Sequence, residues 1–229
     1  NSAIESTPSA YAGTSNDATI HFADEVGLNG PGSGKIANKL TIDDGRESGR
    51  QVVFLSLDGA QDVDYFGPVT VEGIHIPAFA APGMFAGQEA DVLRTLTWTL
   101  SQSPLGANTV FTTARPQDGE FSTVYIGGSG ADFAPWGDYY GLAQDVDVGN
   151  QNRSDIAFVF SDNIPALDLT ATEFGQRLAS IVVHETGHLL GLGHAHDDGD
   201  DPLADVAFDP KVHVALATDA ADDAVDNGK

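Results

Sequence analysis

The stretch His184-Glu185-Thr186-Gly187-His188-Leu189-Leu190-Gly191-Leu192-Gly193-His194 holds the residue types and spacing best suited to chemistry. Imidazoles four residues apart on a helix share one face, so His184 and His188 can point ring nitrogens at one ion. Glu185 lies about 100° around the helix from His184. It is too displaced for a co-ligand, yet near enough to act as general base on a water held by that ion. Gly191 has no Cβ, can take a positive φ and can end the helix abruptly. The turn would return His194 to the same ion as a third ligand, with His196 the alternative for that role. Three protein ligands and an open position is the arrangement of catalytic zinc, whereas structural zinc sites are closed by four. Such an ion polarises a carbonyl and lowers the pKa of its water toward ~7; the glutamate takes the water's proton and passes it to a leaving amine. A helical H-x-x-x-H alone carries little. Glu at the second position, Gly at the eighth and His at the eleventh make the pattern specific.

These residues need a helix that stops at the right place and a scaffold behind it. Thr170, followed three residues later by Glu173, reads as a capping box, and Leu178, Ile181, Val182 and Leu189 give the helix an apolar face. Gly191 and Gly193 mark its end. A second helix is expected over Gly87–Leu100, with Val92, Leu93, Leu96 and Leu100 on its buried side. Strands are expected at Gln51–Asp58, Val69–Ile76, Thr109–Ala114, Phe121–Ile126 and Asp155–Phe160, the last of them central. This order predicts an α/β or α+β domain with a mixed sheet. Residues 1–50 are rich in Gly, Ser, Asn and Asp and read as a loosely structured N-terminal segment. Residues 51–229 read as the catalytic domain with an acidic C-terminal extension.

The 229 residues carry 34 acidic side chains against 10 Lys and Arg, a net charge of −24. Phosphate binding needs a basic face, so no nucleic-acid partner is expected. The surplus suits a solvated acidic surface in salty water, and it suits calcium, which takes carboxylate and carbonyl oxygens. Asp145, Asp147, Asn150 and Asp155 form the best oxygen-rich cluster, ahead of the acidic run Asp197–Asp201. There is no cysteine, hence no disulfide, thiolate site or cysteine nucleophile. No apolar run approaches the ~18–20 residues of a membrane span. No G-x-S-x-G supports a serine hydrolase. The chain begins at Asn1 without a visible signal peptide and reads as a mature or excised piece.

Residues 184–194 match the H-E-x-x-H-x-x-G-x-x-H pattern of the metzincin metallopeptidases, and within them the chain most resembles matrixin-type enzymes of bacterial secreted or surface proteins. The resemblance is specific over those residues and looser over the element order of 51–194. It implies a zinc endopeptidase acting on protein or peptide substrates outside the cell, with Glu185 catalytic and His184, His188 and His194 on the metal. It also implies a twisted, mainly parallel sheet with one antiparallel edge strand above the cleft. That strand would be Phe121–Ile126, so Ser122, Thr123, Val124 and Tyr125 would pair with substrate. Loops such as Asp145–Asp155 commonly hold structural calcium in matrixin-like domains. The chain departs from the pattern in having Met84 as its only methionine, so Ala207 or Phe208, in Asp205–Phe208, must stand where the family places a methionine turn. It also lacks a latency cysteine, and no Tyr follows Tyr140. Two alternatives remain: a weak or inactive metal-binding module of a surface or adhesion protein, and a self-processing protease domain within a larger multidomain protein.

Overall fold

The structure, a computed structural model, describes residues 49–194 and 207–208. The segment 1–48, His196, Asp197–Asp201, Asp205, Val206 and the C-terminal extension from 209 lie outside the described residues. The strands are β1 (Gln51–Ser56), β2 (Ala60–Phe66), β3 (Thr70–Ile76), β4 (Thr109–Thr112), β5 (Ser122–Ile126), β6 (Gly141–Ala143), β7 (Ile156–Val159) and β8 (Ala207–Phe208); the helices are α1 (Glu89–Gln102) and α2 (Ala171–Leu189). The fold is mixed α/β. One six-stranded sheet has the order β4-β1-β5-β7-β6-β8, and β2 and β3 form a separate two-stranded sheet. β4, β1, β5 and β7 run parallel, while β6 is antiparallel to both β7 and β8.

The parallel strands are short runs of β-branched and aromatic residues that are almost wholly buried. Strands covered on both faces need such runs, in place of an apolar-polar alternation. β5 is one of them, and this corrects the expectation that Phe121–Ile126 is the antiparallel edge strand. β5 pairs with β1 on one side and β7 on the other, so Ser122, Thr123, Val124 and Tyr125 have no free edge to offer a peptide. The antiparallel strand is β6, three buried residues after a Gly-rich stretch.

α1 buries Val92, Leu96 and Leu100, and α2 buries Phe174, Leu178, Ile181, Val182 and Leu189. The capping box forms: Thr170 Oγ1 accepts the Glu173 N–H at 3.2 Å, and Glu173 Oε2 accepts the Thr170 N–H at 2.8 Å. The two helices pack together through Gly175, where an added Cβ would sit 2.6 Å from the Val92 carbonyl oxygen. Aromatic rings tie the β2–β3 hairpin to the sheet, with Tyr65, Phe133 and Phe158 in mutual contact. No helix among the described residues is long and apolar enough to cross a membrane.

Gly175 yields a prediction of sign. On an exposed helix face Gly→Ala stabilises by up to about 1 kcal/mol. Here the methyl group meets backbone, and overpacking of this kind costs about 1–3 kcal/mol. Gly175→Ala is therefore expected to lower the urea midpoint without changing the slope of the transition.

Candidate metal centre

α2 places His184 and His188 one turn apart, and the chain then reverses to return His194. Leu190 is the last residue of the turn, and Gly191 follows at φ 88°. The Gly191 N–H donates to the His188 carbonyl at 2.8 Å and the Leu192 N–H to the Gly187 carbonyl at 2.9 Å. Paired bonds of this kind define the Schellman ending, which favours glycine at the left-handed position. A second constraint falls on the same residue, because a Cβ at Gly191 would lie 2.7 Å from the Asp147 carbonyl oxygen. The loop before β7 thus rests against the helix end, and the Asp147 N–H also donates to the His188 carbonyl at 3.0 Å.

The three rings converge through their Nε2 atoms. His184 Nε2 lies 3.0 Å from His188 Nε2 and 3.0 Å from His194 Nε2. Ring centroids are 4.6, 5.0 and 4.7 Å apart. Four-coordinate zinc with bonds of about 2.0–2.1 Å holds its nitrogens about 3.3 Å apart, close to the spacing seen. The orientation of His188 is fixed from behind: its Nδ1–H donates to the Leu192 carbonyl at 2.7 Å, which leaves the lone pair of the neutral ring on Nε2. Each ring has one nitrogen at the meeting point, so a single ion there could be reached by all three. The donor set therefore fits a metal ion, and among the described residues these three form the one cluster of His or carboxylate groups close enough to hold it. Of the seven histidines, His75 lies instead in the β3 strand, hydrogen-bonded to Gln61.

Glu185 is not part of that cluster, as its position a quarter-turn off the ligand face requires. It is fully buried, and its side chain lies against β6: a Cβ at Gly141 would stand 2.7 Å from Glu185 Cδ. Only glycine leaves room for the carboxylate there. Nothing in the short run Gly141–Ala143 signalled this contact in the sequence. Tyr65 was likewise missed. Its hydroxyl donates to the Ala143 carbonyl at 3.0 Å, and burial, reinforced by the nearby charges of Glu185 and Asp145, pushes its pKa well up. The phenol thus remains a donor.

Hydrogen bonds engage each of the candidate calcium ligands. Asp155 Oδ1 accepts the Ser122 hydroxyl at 2.5 Å, Asp147 Oδ2 accepts the Asn152 N–H at 2.7 Å, and Asp145 Oδ1 accepts the Val146 N–H. Asn150 donates to Gln51 Oε1 at 3.2 Å, and Asp145, Asp147 and Asp155 form no metal-sized cluster. Buried Gln51 also donates to Ser122 Oγ and to the Arg153 carbonyl and accepts from Arg153 Nε, which links β1, β5 and the loop before β7.

Two predictions follow from this geometry. Gly191→Ala forces a left-handed alanine against the Asp147 carbonyl, so zinc affinity should fall by about tenfold or more in a chelator competition, with a lower Tm. Burial, with the charges of Asp147 and Asp145, raises the Asp155 carboxyl to about 7 against the opposing Ser122 hydrogen bond. The folded state then holds this proton more tightly than the unfolded one. The resulting stability is complete below about pH 4 and lost as pH rises through 7, a change of order 4 kcal/mol of which somewhat over half falls above pH 5. Urea unfolding at pH 5 and pH 8 should show that loss in the wild type, and Asp155→Asn should remove it. No family model, curated protein or solved structure matches this chain.

Proposed function

We propose that this chain is a zinc endopeptidase of the metzincin type, with His184, His188 and His194 holding the ion and Glu185 as the general base. The observation that carries the reading is the meeting of three Nε2 atoms at the end of one helix, with a buried glutamate beside them that is not a fourth ligand. Three imidazoles suit zinc better than the hard cations that prefer oxygen. Bound there, zinc supplies Lewis acidity toward a carbonyl oxygen and toward water. Glu185 takes the proton of the attacking water and delivers it to the amine that leaves. Burial behind Gly141 keeps the carboxylate fixed while it does so. Tyr65, through the Ala143 carbonyl, holds the strand against which that carboxylate rests. The substrate is an extended polypeptide, and the setting is extracellular.

A second reading is a metal-binding module with little or no turnover, carried by a surface protein. It draws on the absence of any methionine after His194. One experiment separates the two. The zinc-loaded wild type should cleave unfolded casein, and Glu185→Gln should lose roughly 100- to 10,000-fold in rate while keeping its zinc. Equal behaviour of the two proteins would leave the metal-binding module standing.

A further inference from the structure

Gly141 lies in the extended strand β6 and its φ is not positive, so its backbone would accept any L-residue. Gly191 is required by a left-handed turn; Gly141 is not. What singles it out is one side chain. A Cβ at 141 would overlap Glu185 Oε1 and lie 2.7 Å from Cδ and 2.8 Å from Cγ. The three nearest atoms thus all belong to the buried glutamate, and none to a histidine. Neither element can back away from this contact. β6 is tied before and after Gly141, by the Phe160 N–H on the Tyr140 carbonyl at 2.8 Å and by the Tyr65 hydroxyl on the Ala143 carbonyl at 3.0 Å. α2 is seated against α1 at Gly175, where there is no room for a methyl group. What is left to move is the outer end of Glu185, whose χ angles turn at less cost than packed elements part. The carboxylate therefore stands where it does because residue 141 has no side chain.

We propose that Gly141 is a positioning residue for Glu185, and that the size of the side chain at 141 decides whether this centre hydrolyses peptides or only holds a metal. A general base works only within hydrogen-bond reach of the proton it takes. A displacement of about 1 Å can cost on the order of 100-fold in rate. An alanine at 141 forces such a displacement on the carboxylate and leaves the three imidazoles untouched. The proposal rests on the peptidase reading for the reaction that suffers, but the placement of the carboxylate does not depend on turnover.

The zinc-loaded full chain carrying Gly141→Ala should cleave unfolded casein with kcat about 100-fold below wild type, KM within about twofold, and zinc affinity unchanged in a chelator competition. Added to Glu185→Gln, the same change should cause no further loss of rate, because both act through one group. Two readouts need no turnover. With cobalt in place of zinc, Gly141→Ala should shift the visible spectrum in the direction that Glu185→Gln shifts it. In urea, Gly141→Ala should lower the midpoint of the wild type but not that of Glu185→Ala, which lacks the three crowded atoms. Wild-type kcat in Gly141→Ala overturns the proposal, as does a rate loss that multiplies with that of Glu185→Gln. If Gly141→Ala does not fold, the pair decides: a Gly141→Ala, Glu185→Ala chain that folds no better overturns it too. Casein left uncut by the wild type removes the peptidase reading alone, and the cobalt spectra and urea midpoints then decide for or against Gly141. Casein cut equally well by wild type and Gly141→Ala removes the role of Gly141 and leaves the peptidase.

Discussion

A single left-handed residue governs how the three histidines meet. Gly191 ends α2 with its N–H on the His188 carbonyl and turns the chain so that His194 comes back beside His184. The same reversal supplies the Leu192 carbonyl that fixes the His188 ring. Helix end, ring tautomer and the return of His194 are thus consequences of one backbone conformation, and the loop carrying Asp147 closes against it so tightly that a methyl group would not fit. The backbone brings the three histidines together, and an ion bound there would meet a His188 ring already held by its own hydrogen bond.

Much of this was legible in the sequence because it is local. The capping box at Thr170, the apolar face of α2 and the spacing of His184, His188 and His194 are all set by residues within a few turns of one another. The strands of the parallel sheet were visible for the same reason, as short β-branched runs. Their neighbours were not. Strand order depends on contacts between residues far apart in the chain, and no periodicity reports them. β5 therefore read as a strand but was given the wrong place, while β6, only three residues long, carried too little pattern to be seen. In the oxygen-rich loop, too, closeness in sequence does not report partners. Asp145, Asp147, Asn150 and Asp155 are close in sequence, but each is engaged by a different backbone or side-chain partner.

Glu185 shows how the two kinds of information meet. Its spacing from His184 sets its direction on the helix, but what receives it there is Gly141, more than forty positions earlier. The small residue makes room for the carboxylate, the Tyr65 hydroxyl steadies the strand two residues on, and β8 lies along its outer side. The hairpin of β2 and β3 thereby reaches the site without contributing a ligand to it.

Arg153 binds the carbonyls of Gly49 and Arg50 through one guanidinium nitrogen and Gln51 through another, and Asp147, six residues before it, leans on the end of α2. The start of β1 and the point where α2 stops are therefore moored to one loop. A displacement of residues 147–153 would therefore reach the first strand of the sheet and the helix that carries the histidines together.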